Sequence, residues 1–176
     1  MQIANILFHN YGKTVKPTTS ESLDSVAVTN PYRMNKKGPI IIIEDDIDDE
    51  YLIGEVLRKI NPGNEVLFFR DGNLALHYLK NSRKQPFLIL SDINMPVLDG
   101  FRLRDMVFDN PELRVKCVPY LFFTTSSAEK TVVDAYSKSV QGFFIKPNNL
   151  KQLTKTLSVI VEYWSLSKSP TYFCGD

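Results

Sequence analysis

The sequence predicts an α/β fold: a doubly wound, parallel five-stranded sheet with helices on both faces. Three observations predict it. Five short apolar segments lack two-residue alternation, as strands buried on both faces do. After each comes a segment whose apolar residues recur at helical spacing. The links between them are short, and strand–helix alternation with short links builds parallel sheets covered on both sides.

The first strand is expected at residues 39–44. Leu52, Ile53, Val56, Leu57 and Ile60 then mark a helix that Asn61-Pro62-Gly63 stops. The second strand, residues 65–69, precedes a helix containing residues 74–79. The third strand, residues 87–91, leads to a helix running from Gly100 through Phe101, Leu103, Met106 and Val107 and ending before Asn110-Pro111. After the fourth strand, residues 118–123, Ser126-Ser127-Ala128-Glu129 reads as a capping box for the fourth helix. The fifth strand is Gly142–Ile145, and Asn149 with Gln152 caps a last helix bearing Leu150, Leu153, Leu157, Ile160, Val161 and Trp164.

Residues 37–164 therefore form one domain. Residues 1–36 are polar, rich in Ser and Thr and without periodicity, and read as a poorly ordered leader. Met34 reads as the natural start. Residues 165–176 form a tail too short for an output domain, and its Tyr172-Phe173 pair is a candidate docking or homodimer contact.

The 176 residues suffice for one good core and are few for two. Apolar residues at 43% and charged residues at 23% are those of a soluble globular protein. A net charge of +1 gives no electrostatic footprint for nucleic acid or for an anionic membrane. Cys117 and Cys174 lack metal-ligand spacing and suggest a reduced, cytoplasmic setting. No apolar run approaches the roughly 20 residues that span a bilayer, and the start lacks the basic leader and cleavage site of a secretory signal.

Charge is polarised locally instead. In IIIIEDDIDDE, four isoleucines run straight into a heavily acidic stretch. Open α/β sheets bind ligands beyond the carboxyl ends of their strands, so the strand-end residues are the place to look. The first strand ends in Glu44 and Asp45, the third in Asp92, the fourth in Thr124 and the fifth in Lys146-Pro147. Three acids cannot crowd together ionised against one amine. A hard divalent cation is the natural counter-charge, and Mg²⁺ takes few carboxylates together with waters and phosphate oxygens. A phosphoryl group would give Thr124 a hydrogen-bonding role and Lys146 a neutralising one, and phosphoryl transfer asks for little more than positioning and charge neutralisation. Asp46, Asp48, Asp49 and Glu50 read as a solvated cap, favoured by the dipole at the start of the first helix.

The acidic pair Glu44-Asp45, the D-x-x-M-P run Asp92-Ile93-Asn94-Met95-Pro96 with Gly100 after it, Thr124, and Lys146-Pro147 occur in this order at strand ends. Together they resemble the receiver domain of two-component response regulators, over residues 39–164. The resemblance implies a flavodoxin-like fold and a single-domain phosphoacceptor switch. Asp92 would be the phosphoacceptor, taking its phosphoryl group from a sensor histidine kinase or a histidine phosphotransfer protein. Glu44, Asp45, Asp92 and the backbone carbonyl of Asn94 would hold Mg²⁺; Glu in the first place is a familiar variant. Thr124 and Lys146 match the family's hydroxyl and amine, and Pro147 matches a proline that usually follows a cis peptide bond. Thr124 with Phe143, where many members have Tyr, would relay the change to the surface around the fourth helix and fifth strand. The expected output is protein–protein association with a downstream effector. Catalysis would extend only to the domain's own phosphorylation and autodephosphorylation.

Two rivals share part of this pattern. A haloacid-dehalogenase-like phosphatase also uses Asp, Ser/Thr, Lys and Mg²⁺, and Asp46-Ile47-Asp48 mimics its D-x-D. Lys146, however, leads into PNNLKQL, with no carboxylate where that family places one. A degenerate receiver serving as a scaffold would not need the complete residue set. His77 reads as a surface helix residue, and His9 lies in the leader.

Overall fold

The computed structural model describes residues 34–116 and 118–168. Its strands are β1 (Ile40–Ile43), β2 (Val66–Phe69), β3 (Leu88–Ser91), β4 (Tyr120–Thr124) and β5 (Gly142–Ile145), and its helices are α1 (Ile47–Ile60), α2 (Gly72–Asn81), α3 (Gly100–Asp109), α4 (Pro111–Val115), α5 (Glu129–Ser137) and α6 (Leu150–Leu166). The strands pair in parallel as one sheet in the order β2-β1-β3-β4-β5. The chain winds one way from β1 to β2 and the other way from β3 onward, so a crevice opens between the carboxyl ends of β1 and β3.

The four isoleucines of β1 serve both faces of the sheet. Ile41 and Ile43 join a core with Leu79, Ile89, Leu103 and Phe122, while Ile40 and Ile42 join another with Ile53, Leu57, Leu90 and Leu157. Each fully buried side chain of this size contributes roughly 1.5–3 kcal/mol. Burial on both faces holds for β1, β3 and β4, whereas the edge strands β2 and β5 are only partly covered.

Helix ends follow local chemistry. Asp46 caps α1 by accepting from the Asp48 and Asp49 amides, and Asn149 caps α6 by accepting from Gln152. The capping box expected at Ser126 is absent. The N-cap of α5 is Ala128, without a side-chain cap bond, and the Ser126 hydroxyl turns to Thr131 Oγ1 at 3.3 Å. Asn110-Pro111 ends α3 as expected, then starts the unforeseen α4. Asn110 accepts from the Glu112 and Leu113 amides, and Pro111 occupies a first-turn position whose amide would be free in any case.

Met34, expected in the leader, is buried in the second core, and Lys36 donates to the Ser165 carbonyl. α6 continues to Leu166, past the expected end at 164. Residues 1–33 and 169–176, which carry the rest of the leader and tail with His9, Tyr172, Phe173 and Cys174, lie outside the described residues, as does Cys117. No helix among the described residues is long and apolar enough to cross a membrane.

Candidate functional site

Register brings the strand ends together. Ile43 pairs with Ser91, and the Asp92 amide donates to the Ile43 carbonyl at 2.9 Å, so Glu44 and Asp92 leave adjacent strands side by side. On the other flank of β3, the Lys146 amide donates to the Thr124 carbonyl at 2.8 Å and sets those two residues next to each other. Glu44 and Asp92 are buried, at 2% and 7% exposure, while Asp45 is exposed. Each of these three acids offers a carboxylate oxygen within 4.8 Å of the others.

Lys146 enters this group from β5 and is itself buried. Its ammonium lies 2.5 Å from Glu44 Oε2, 2.7 Å from Asp49 Oδ2 and 3.1 Å from Asp92 Oδ2. The other Asp92 oxygen, Oδ1, accepts from the Ile93 amide at 2.6 Å and from the Asn94 amide at 3.4 Å. One oxygen of Asp92 is thus anchored by its own loop, and the other faces the amine.

The loop after β3 explains the spacing of the D-x-x-M-P run. Ile93 and Met95 are buried in the first core and pin the loop, while Asn94 between them is exposed. Gly100 opens α3 against the back of Asp92. A Cβ there would lie 2.1 Å from the Asp92 carbonyl oxygen, so close approach, rather than a special φ, demands glycine. The Gly100 amide closes the loop onto the Ile93 carbonyl at 2.9 Å.

Charge in the cluster is unbalanced. Burial pushes the Glu44 carboxyl up to about 7; the Lys146 hydrogen bond and charge oppose this only in part, and the charges of Asp92 and Asp49 add to it. For Lys146, burial works against the charged form. The hydrogen bonds it donates to Asp49 and Glu44 and the charges of Glu44 and Asp92 outweigh it and hold the ammonium above its ordinary value. One cation faces four carboxylates: it gains, and the most buried acid loses.

The structure gathers Glu44, Asp45, Asp92 and Lys146. Thr124 ends β4 at the same pole, fully buried, and its hydroxyl oxygen accepts from the Ser126 amide at 3.3 Å. Phe143 is half-buried against the first core. The cis bond expected before Pro147 is not found: no peptide bond among the described residues is cis. The Lys146 amine reaches its carboxylates from the trans isomer.

Asp49 is the residue that sequence reasoning missed. Grouped with the cap acids, it instead binds Lys146. Nothing in the run of acids set it apart from its neighbours in the first turn of α1. Asp46, by contrast, is occupied in capping α1, which leaves the phosphatase-like D-x-D without its first carboxylate. His77 is exposed, as expected.

The family model of the response regulator receiver domain matches residues 40–158. The chain belongs to the response regulator receiver family. This receiver is 33% identical over 130 residues to the response regulator Rcp1 of Synechocystis, an alignment covering 71% of this chain and 87% of Rcp1. The phosphorylated cyanobacterial phytochrome response regulator RcpA shares its fold with a TM-score of 0.67 and 31% identity, covering 76% of this chain and 99% of RcpA. The Mn²⁺-bound form of Rcp1 superposes equally well, with a TM-score of 0.67, 32% identity and the same coverage of both chains. The receiver is therefore similar to stand-alone response regulators along nearly their whole length.

Proposed function

We propose that this receiver is a phosphorylation switch in which Asp92 accepts a phosphoryl group from a phosphohistidine on a sensor kinase or phosphotransfer protein. The observation that carries the reading is the placement of Asp92: buried, held by loop amides through one oxygen, with the other facing Lys146 inside an acidic cluster. In the transfer, an Asp92 oxygen bonds to phosphorus as the P–N bond breaks. The electron pair stays on the imidazole nitrogen, and an aspartyl phosphate results.

Glu44, Asp45 and Asp92 suit a hard divalent cation, since each supplies a carboxylate oxygen and the cluster lacks positive charge. When bound by these residues and the Asn94 carbonyl, Mg²⁺ would neutralise charge on the phosphoryl oxygens. The Mn²⁺-bound form of Rcp1 supports a divalent site in a related receiver.

The chain's own residues do the rest. Lys146 shifts its ammonium from the carboxylates to the new phosphoryl oxygens. The Thr124 hydroxyl turns from Ser126 to the same group, vacating space that Phe143 follows. This biases a two-state face around α5 and β5, where Val133, Tyr136 and Ile145 are more than half exposed. A protein effector reads that face in the cytoplasm, and homodimerisation through it would register as a change in size on phosphorylation. Residues 37–164 carry the switch, flanked by leader and tail.

Phosphoramidate with Mg²⁺, followed by intact mass, tests the reading. The wild-type chain gains one phosphoryl group, and Asp92→Asn or chelation of the metal removes the gain. A gain that survives Asp92→Asn contradicts it.

A further inference from the structure

Three carboxylates meet Lys146, and they differ in origin. Glu44 and Asp92 leave strand ends and belong to the group suited to a divalent cation, whereas Asp49 comes from α1 and does not. Asp49 is the third residue of α1, where an acid ordinarily turns back to the amide of the capping residue. Here that amide, on Asp46, donates to Glu44 Oε1 at 3.3 Å, and the Asp46 carboxylate takes the amides of Asp48 and Asp49. The cap does not use the Asp49 carboxylate. That group reaches across to the residue after β5, 97 positions on, and meets the Lys146 ammonium at 2.7 Å.

An ammonium has three N–H donors, and three carboxylates face those of Lys146, at 2.5, 2.7 and 3.1 Å. A phosphoryl oxygen accepts from this amine only where one of them gives way. Asp92 gives way by becoming the acyl phosphate, and a divalent cation would take up the charge of Glu44. Nothing in the transfer consumes the charge of Asp49. Its side chain is 36% exposed, against 3% for Glu44 and 8% for Asp92, so it is also the least confined of the three.

We propose that Asp49 restrains the switch: its carboxylate draws the Lys146 ammonium toward α1 and so weakens the hold of the site on a phosphoryl group at Asp92. The restraint presupposes the reading of Asp92 as the acceptor. With Asp49 present, Lys146 divides its donors between α1 and the phosphoryl oxygens; without it, those oxygens gain a donor. A purely structural ion pair would stabilise the fold and leave that hold unchanged.

Beryllofluoride, a non-covalent stand-in for the phosphoryl group, tests this on the full chain at saturating Mg²⁺, with fluorine NMR reading occupancy. Asp49→Asn keeps the shape of the side chain and removes its charge. Asp48→Asn removes an equal charge from the same turn, from a carboxylate that pairs with no cation among the described residues. Asp49→Asn should bind beryllofluoride about threefold more tightly than the wild type, the scale of one partly exposed ion pair, with Asp48→Asn within about twofold. Asp49→Ala should agree with Asp49→Asn in direction, and thermal unfolding checks that each variant folds. The ammonium nitrogen resonance of Lys146 should move in Asp49→Asn and stay in place in Asp48→Asn. A wild type that binds no beryllofluoride, or binding that survives Asp92→Asn, contradicts the reading of Asp92, and the restraint falls with it. A wild type that binds, with Asp49→Asn no tighter, Asp48→Asn tightened as much, or the Lys146 resonance unmoved, overturns the restraint alone.

Discussion

Glu44 and Lys146 touch, yet both titrate at higher pH than usual: burial raises Glu44 by more than Lys146 lowers it, while burial of Lys146 is outweighed by its carboxylate partners. Lys146 is shared among three carboxylates, so no single acid receives its full charge. Glu44, the most buried of them, is pushed up from 4.5 to about 7. A raised carboxyl stabilises the fold below its unfolded value, and that contribution is lost as pH rises through the folded value. Metal-free protein should therefore lose stability between about pH 4.5 and about pH 7, by at most about 3 kcal/mol from this group. Denaturant titrations across that window check the slope. Glu44→Gln should flatten it, as should saturating Mg²⁺, which favours the ionised form. At this scale the strand-end acids and Lys146 were legible because each follows an apolar run. Asp49 was not, because an acid that caps a helix and one that reaches a neighbouring strand look identical in a run of acids.

The β3–α3 loop is the element that holds the acceptor. Gly100→Ala would drive a methyl group into the Asp92 carbonyl. We expect a loss of about 1–3 kcal/mol from overpacking, read by thermal unfolding, with slower phosphorylation because Asp92 must move. Val97, in the same loop, has φ 67° and is 80% exposed. A β-branched residue is strained there, at a cost of roughly 1–2 kcal/mol. Val97→Asn should stabilise the fold by about 1 kcal/mol, since asparagine tolerates this region and little packing is lost. The D-x-x-M-P spacing announced this loop, but its strain did not show in the sequence. The same limit hid α4 and misplaced the cap of α5: Asn110-Pro111 signals a stop and a start alike, and Ser126 had a competing partner in Thr131.

For the whole molecule, strand order turns scattered residues into a site. The five strands were legible because inner parallel strands must be apolar on both faces, and the order β2-β1-β3-β4-β5 puts the ends of β1 and β3 beside the crevice. The burial of Met34 and the last turn of α6 were less legible, since polar neighbours conceal them in the sequence. Leu157, fully buried where α6 meets the second core, tests how far the site depends on that packing. Leu157→Ala should cost about 2–5 kcal/mol yet leave phosphorylation intact at temperatures where the protein stays folded.

The central claim is that the acid at position 92 carries the phosphoryl group. Phosphorylating the wild-type chain with phosphoramidate and Mg²⁺, reducing the acyl phosphate with borohydride and sequencing peptides by mass spectrometry reads the position directly. The account predicts homoserine at position 92 and at no other acid of the cluster. Homoserine at position 45 or 49, hydroxynorvaline at position 44, or no reduced residue at all in a chain that has gained phosphate, would contradict it.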